Sequence, residues 1–493
     1  MSHAARIQLS LISHTNVGKT TLARTLLGRT LGEVRDAPHV TAVAEAQTMI
    51  ETPEGDALAL WDTPGFGDSV RLAKRLRQSG SPIGWFLSQV WDRWRDRPFW
   101  SSQEAVRNVR DQADVVLYLV NAAENPGDAG YVAPEMQILE WVGKPAIILL
   151  NQVGAPRPRA DEAAEEARWR SHLGGYRIVR AVLTLDAFAR CWVQEFTLLG
   201  AVAEALPDEK RPAFDRLRAA WRARRMATFD AAMGQLAAQL ARAACDREPV
   251  ADRGVRAAFR DVGVALGLGR DGEPTAKELA MQRLAERVDA DVRATTDHLI
   301  ELHELEGRAA AEVLARLAED FAVQSRASEG KAAVLGGLVT GALTGLKADL
   351  ATGGLTFGAG LLVGGVLGAL GAAGIARGYN LVSGTKETAV RWSDEFLEGF
   401  FASALLRYLA VAHYGRGRGE WSQSEHPAFW KDAVGETVIV HHDALQTIWA
   451  ERGGDCDTAR LGVALRGELA AAALDLLGRL YPDAAPALRG SAP

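Results

Sequence analysis

An apolar run, Ile7–Ser13, passes straight into Ser13-His14-Thr15-Asn16-Val17-Gly18-Lys19-Thr20, and a helix-like segment, Thr21 to Leu31, follows. No other stretch limits the fold as tightly. A strand, a short loop and a helix in that order wrap backbone N–H groups around one point at the positive end of the helix dipole, which makes an anion-binding concavity. Asn16, Val17, Gly18, Lys19, Thr20 and Thr21 line it. Lys19 adds a point charge suited to β- and γ-phosphates, and the Thr20 hydroxyl can ligate Mg²⁺. Ser13 stands where such loops usually begin with glycine, and it is compact enough for the turn. His14 is expected to point outward from the loop.

The chain downstream carries what a triphosphate site needs. Trp61-Asp62-Thr63-Pro64-Gly65-Phe66-Gly67-Asp68 closes a second apolar run, Ala57–Trp61. There Asp62 can hold Mg²⁺ through a water and the Gly65 N–H can meet a γ-phosphate, a natural sensor of nucleotide state. Val40-Thr41 falls between the two motifs in a helix-poor segment, where the Thr41 hydroxyl and carbonyl would complete the metal shell. Lys19, Thr41 and Gly65 are therefore the catalytic candidates, and Thr20, Thr41 and Asp62 the metal ligands. Further strand candidates at Asp114–Val120, Ala146–Leu150 and Tyr176–Leu183 alternate with helical patterns, which argues for an α/β domain built on a mostly parallel sheet.

On these motifs the chain resembles the translation-factor-class P-loop GTPases, in particular the Era-like and TrmE-like group with its N-x-G-K-[ST] loop and D-T-P-G switch. The D-T-P-G-F-G-D string also looks like septin- and AIG-type GTPases. The resemblance covers residues 6–205. It implies a doubly wound G domain that binds GTP/GDP with Mg²⁺ and hydrolyses GTP slowly, and it allows a K⁺ ion near Asn16. Phe66 stands where Ras-like members carry a water-positioning glutamine, so hydrolysis would need another group, an ion or a partner. Asn151-Gln152-Val153-Gly154 replaces the guanine-reading N-K-x-D motif. Asn151 and Gln152 remain beside the base, but Gly154 brings no carboxylate. Losing charged hydrogen bonds of ~1.5–3 kcal/mol each should weaken guanine discrimination. GTP remains the expected nucleotide, with ATP or relaxed specificity the alternative. Thr184-Leu185-Asp186 occupies the place of the last base-contacting loop, so Thr184 and Asp186 are base-site candidates, Asp186 as a replacement carboxylate.

The other three-fifths of the 493-residue chain read as mainly helical. The expected organisation is a GTPase domain at 1–206 with a basic, aromatic insert at about 68–110, a helical block at 207–329, a glycine-rich apolar hairpin at 330–378 and a C-terminal helical region at 379–493. Thr275 to Gln324 holds one glycine and no proline; a single helix of that length would span about 75 Å, and an αα-hairpin fits equally. In the insert, Ile83, Leu87, Val90, Trp91 and Trp94 share a helix face that Pro98 is expected to end; the face fits a membrane, a partner, RNA or the domain's own core. Ala332–Leu346 and Leu350–Ala376 carry no charge, and their glycines recur every four residues. That pattern fits a helical hairpin entering a bilayer or one packed inside a protein core. A G domain joined to such a half also looks like an uncharacterised bacterial GTPase family whose C-terminal domain has no assigned function.

Formal charge is −6, which argues against a global grip on nucleic acid. Cys191, Cys245 and Cys456 lie far apart with no C-x-x-C pair, a set expected to be free thiols. Met1–Arg6 leads into no secretory signal, so the expected location is cytoplasmic, at the inner face of the cell membrane. His441-His442-Asp443 is expected to form a surface turn, and Arg416 and Arg418 a solvated loop. The expected function is a GTP-binding switch whose nucleotide state acts on a membrane-associated helical half through 332–376, with an unidentified protein partner and homo-oligomers in view. A soluble ribosome- or RNA-associated assembly GTPase and a nucleotide-binding scaffold are the other readings.

Overall fold

The computed structural model describes residues 4–15, 17–28, 45–77, 82–88, 97–153, 158–187, 191–250, 276–305, 379–383, 388–413, 429–453 and 455–490. Asn16, Val40, Thr41, Val90, Trp91, Trp94, Gly154, the 332–376 stretch, Arg416 and Arg418 lie outside them. The described residues form two units. One comprises those of Met1–Ala227, Ala412–Pro427 and Leu477–Pro493, and the other those of Thr228–Val411 and Ala428–Leu476.

The first unit is built on a six-stranded sheet in the order β2-β3-β1-β4-β5-β6. Its strands are β1 (Arg6–Ser13), β2 (Glu45–Glu51), β3 (Ala57–Asp62), β4 (Val115–Asn121), β5 (Ala146–Asn151) and β6 (Val179–Thr184). All neighbours pair in parallel except β2 with β3. Every residue of β5 is buried, as a parallel strand covered on both faces requires. β2 is the element that sequence reasoning missed. Its register slips between Thr48 and Ile50, and a polar Glu-Ala-Gln-Thr edge has no apolar run to reveal it. β6 starts later than the expected Tyr176, because the Tyr176 N–H instead closes a turn onto the Leu173 carbonyl.

The helices of this unit are α1 (Lys19–Leu27), α2 (Ser69–Leu76), α3 (Pro82–Ser88), α4 (Arg97–Asp111), α5 (Val132–Val142), α6 (Arg159–Leu173), α7 (Gln194–Ala205) and the first part of α8 (Arg211–Cys245). Glycines bracket α1, Gly18 at φ 86° and Gly28 at φ 68°, which is why the helix starts and stops there. Pro98 does not end a helix as expected. It sits in the first turn of α4, where its missing N–H costs nothing. Of the insert's apolar residues, Phe86 is fully buried and Ile83, Trp85 and Leu87 pack against the domain core, so this part of the face is already covered. The C-terminal stretch belongs to this unit as well: Tyr481 meets His413 at 2.6 Å, Asp483 accepts from Arg159 at 2.5 Å and the Ala487 carbonyl accepts from Arg222 at 2.8 Å.

In the second unit the remainder of α8 accompanies the helices Ala276–Leu302, Asp394–Ala412, Phe429–Val440, His442–Ala450 and Thr458–Leu480. Beside them lies a small antiparallel sheet that the mainly helical expectation omitted, in the order β7 (Arg247–Pro249), β9 (Thr388–Trp392), β8 (Tyr379–Ser383). Of the two readings of Thr275–Gln324, a single helix is excluded: the helix Ala276–Leu302 ends where Glu304 turns to φ 55° and the Leu305 N–H returns to the Ile300 carbonyl, and residues 306–324, where the second arm of an αα-hairpin would fall, lie outside the described residues. The core includes Phe229, Leu240, Leu284, Phe400, Leu405 and Leu469. Arg407 is buried among them and donates to Gln239 at 2.6 Å; burial pushes its guanidinium pKa down to about 10.

One expectation is overturned here. Cys245 and Cys456 are joined in a disulfide with Cα atoms 5.5 Å apart, because the fold brings together residues separated by 211 positions; Cys191 is a buried free thiol. His441-His442-Asp443 lies at a surface turn as expected, with His441 the turn residue between two helices and His442 and Asp443 exposed. His441 precedes the His442–Ala450 helix and its Nδ1 lies 2.5 Å from Glu468, while His442 pairs with Glu398 at 3.1 Å. Among the described residues no helix is long and apolar enough to cross a membrane, and no cluster of three metal-ligating side chains appears.

Candidate nucleotide site

Two constraints make Gly18 irreplaceable in its loop. Its φ of 86° is left-handed, and a Cβ there would sit 2.7 Å from Asn151 Nδ2. Asn151, fully buried at the end of β5, is what closes the loop. Its Nδ2 donates to the Val17 carbonyl at 2.7 Å and its Oδ1 accepts the Ala187 N–H at 2.9 Å, so one amide ties the phosphate-type loop to the segment after β6. Thr25 adds a second tie, donating to the carbonyls of Thr21 and Ala187 at 3.0 Å each.

Lys19 and Thr20 open α1 and both turn toward the end of β3. Thr20 Oγ1 lies 2.9 Å from Asp62 Oδ2, and Lys19 Nζ lies 3.4 Å from Asp62 Oδ1. The parallel pairing of β1 with β3 puts them within reach, since Leu11 stands opposite Asp62 in register. Past Asp62 the chain is held against the same loop. Thr63 Oγ1 donates to the Leu11 carbonyl at 2.6 Å, and the Phe66 N–H donates to the Ser13 carbonyl at 2.9 Å. Gly65 is packed so that a Cβ would meet the carbonyls of Ser13 and His14 at 3.4 Å. Gly67 is tighter still, because a Cβ would lie 2.6 Å from Pro98 Cα.

The structure thus gathers Ser13, Val17, Gly18, Lys19, Thr20, Asp62 and Gly65 at the carboxyl ends of β1 and β3, with Thr21 buried as the third residue of α1. Asn151, Gln152, Thr184 and Asp186 end β5 and β6 next to them. Gln152 adopts φ 58°. The Thr184 N–H donates to Glu166 at 3.0 Å. Asp186 is 4% exposed, and its Oδ2 accepts the Val153 N–H at 2.8 Å, so it braces the loop that follows Asn151.

His14 departs from expectation. Instead of pointing outward, its Nδ1 lies 2.6 Å from Oε1 of Glu135 in α5, and its ring stacks on Tyr131 with centroids 4.5 Å apart. Glu135 is fully buried and also accepts from Tyr118 Oη at 2.7 Å. Burial pushes the Glu135 pKa up, opposed by His14, and burial raises the Tyr118 and Tyr131 hydroxyls as well. Sequence reasoning passed over Glu135, Tyr118 and Tyr131. The usable signal was a carboxylate standing among Val132, Met136, Ile138 and Leu139 on an apolar helix.

Comparison with known families accounts for both halves of the chain. Residues 8–152 match the family described as "50S ribosome-binding GTPase" (MMR_HSR1). Residues 176–450, more than half the chain, match the family described as "Domain of unknown function (DUF3482)". The chain belongs to the DUF3482 family. In this DUF3482 protein the N-terminal region is a P-loop GTPase domain, followed by an uncharacterised, mainly helical part. Among solved structures it is similar to Era in complex with MgGDPNP and nucleotides 1506–1542 of 16S ribosomal RNA, at 16% identity and a TM-score of 0.31, covering 42% of this chain and 58% of that one. Aquifex aeolicus Era bound to GDP·AlF4⁻ matches at 16% identity and 0.30, covering 41% of this chain and 58% of the other. An oligomerised bacterial dynamin pair described as sensing and tethering membranes matches at 10% identity and 0.25, covering 97% of this chain and 69% of that one. The chain therefore spans 58% of the length of the Era chains. No curated protein sequence matches it.

Proposed function

We propose that this DUF3482 protein is a Mg²⁺-dependent GTP switch that hydrolyses GTP slowly. The observation that carries the reading is the convergence of Thr20 Oγ1, Asp62 and Lys19 Nζ beneath a loop whose amides open α1. A hydroxyl and a carboxylate 2.9 Å apart are the hard oxygen donors that a small divalent ion takes alongside phosphate oxygens, so the residues fit Mg²⁺. The ion would neutralise charge between the terminal phosphates. Lys19, now directed at Asp62, would swing to the β- and γ-phosphates. Thr20 would hold the metal directly and Asp62 through a water. The Gly65 N–H would report the third phosphate, and Thr41 would complete the shell; loss of that phosphate would release both. Asn151 would hold the base side of the pocket in register with the loop, with Gln152, Thr184 and Asp186 around the base and K⁺ as an accessory ion near Asn16.

Turnover of GTP tests the reading. Wild type should release phosphate and Lys19→Ala should fall by at least ~100-fold, in line with the loss of an electrostatic group aimed at transferring phosphate. Equal, background-level release from both proteins would overturn it.

The switch is proposed to act from the cytoplasm on a membrane-associated half, a reading supported by the uncharged 332–346 and 350–376 stretches. A second reading, a ribosome- or RNA-associated GTPase, is supported by the description of the family that residues 8–152 match, and by Arg71, Lys74 and Arg77 exposed along α2. Liposome flotation and ribosome co-sedimentation of the full chain separate the two.

A further inference from the structure

Glu135 is a fully buried carboxylate that the nucleotide reading leaves without a task. Two side chains bond it, and a third ring packs on one of them. His14 comes from the phosphate-type loop and Tyr118 from β4, while Tyr131, in the turn before α5, stacks on the His14 ring. A carboxylate withdrawn from water is stable only when its oxygens are met by donors, and here they are: Oε1 by His14 and Oε2 by Tyr118. The stacked Tyr131 ring removes the imidazole's remaining freedom.

The same residue that Glu135 grips by its side chain meets the switch through its backbone. His14 forms an isolated parallel bridge with Phe66, whose N–H donates to the Ser13 carbonyl at 2.9 Å, and Gly65 lies against the His14 carbonyl. The edge on which the Gly65–Phe66 segment docks is therefore the short Ser13–Thr15 stretch, and its middle residue is held from behind by a hydrogen bond to a buried carboxylate.

We infer that His14 is a positioning residue for the second switch: Glu135 and Tyr131 lock its imidazole, and the locked loop edge sets where Gly65 and Phe66 stand relative to the bound phosphates. The inference rests on the nucleotide-switch reading, and its test has one arm that needs no turnover. Hydrogen exchange of the full chain without nucleotide should show the 63–68 segment exchanging ~10-fold faster in His14→Ala while the rest of the sheet keeps its protection. In GTP turnover, His14→Ala should lose ~10-fold in kcat with KM within ~3-fold, because switch geometry rather than ground-state binding is disturbed. His14→Asn, which restores an amide donor toward Glu135, should recover most of both effects. Glu135→Gln keeps the volume and removes the charge, so it serves if His14→Ala fails to fold, and it should also quicken exchange at 63–68. Unchanged exchange at 63–68 in both His14→Ala and Glu135→Gln overturns the inference. Absence of turnover in the wild type would count against the nucleotide-switch reading alone, since the exchange arm still decides this one.

Discussion

At the scale of single residues the site depends on a few positions with no tolerance. Gly18 combines a left-handed backbone with contact to the Asn151 amide that bolts the loop to the sheet. An alanine there pays roughly 1–2 kcal/mol for the backbone conformation and displaces a buried hydrogen bond, with a cost of about 1–3 kcal/mol for groups left unpaired. Gly18→Ala should therefore lower urea stability by about 2–4 kcal/mol and weaken GTP binding by at least ~10-fold. Native stability and affinity in that variant would show that the clash is absorbed elsewhere. Much of this was legible beforehand. Lys19, Thr20 and Asp62 are recognisable from local strings, because strand, loop and helix are contiguous in sequence and the chemistry follows from their order. His14 was not legible. Its partner stands 121 positions away, and nothing in the loop itself says that a buried carboxylate waits behind it.

Elements were legible where their own pattern sufficed. The buried parallel strands announce themselves as apolar runs, whereas β2, β7, β8 and β9 carry short or mixed patterns, and β7 exists only through β9, a partner distant in sequence. The disulfide belongs to the same class, since spacing could not have paired Cys245 with Cys456. A crosslink closing so long a loop restricts the unfolded chain, and its loss typically costs about 2–4 kcal/mol. Cys245→Ser, or treatment with a thiol reductant, should lower the melting temperature of the second unit and leave GTP binding by the first unchanged; an unchanged melting curve would contradict the pairing. The β2–β3 turn offers a pH test. Asp56 accepts from Arg216 at 2.7 Å and from the Ala5 N–H at 2.8 Å, and the Arg216 bond first, then the Ala5 bond, hold its pKa below the ordinary carboxylate value. A depressed native pKa means stability present at neutral pH and lost as pH falls from the ordinary carboxylate value through the native one. The stability gap between wild type and Asp56→Asn should thus be full at pH 7 and shrink below about pH 4. A gap independent of pH would show that the carboxylate's charge is irrelevant there.

For the whole molecule, a GTPase domain is joined to a mainly helical unit with its own small sheet and its own covalent crosslink, and the C-terminal residues return to the GTPase unit. The proposed division of labour assigns nucleotide chemistry to the first unit and the response to the rest of the chain. Everything in it depends on the first unit holding a triphosphate through Lys19, Thr20 and Asp62. Calorimetric titration of the full chain with GTP, with and without Mg²⁺, measures that directly. The account predicts saturable binding with Mg²⁺ that falls at least ~10-fold when the metal is chelated and is lost in Lys19→Ala, because the metal and the ammonium together carry the terminal phosphates. Binding that is absent in the wild type, or indifferent to both Mg²⁺ and Lys19, would contradict it.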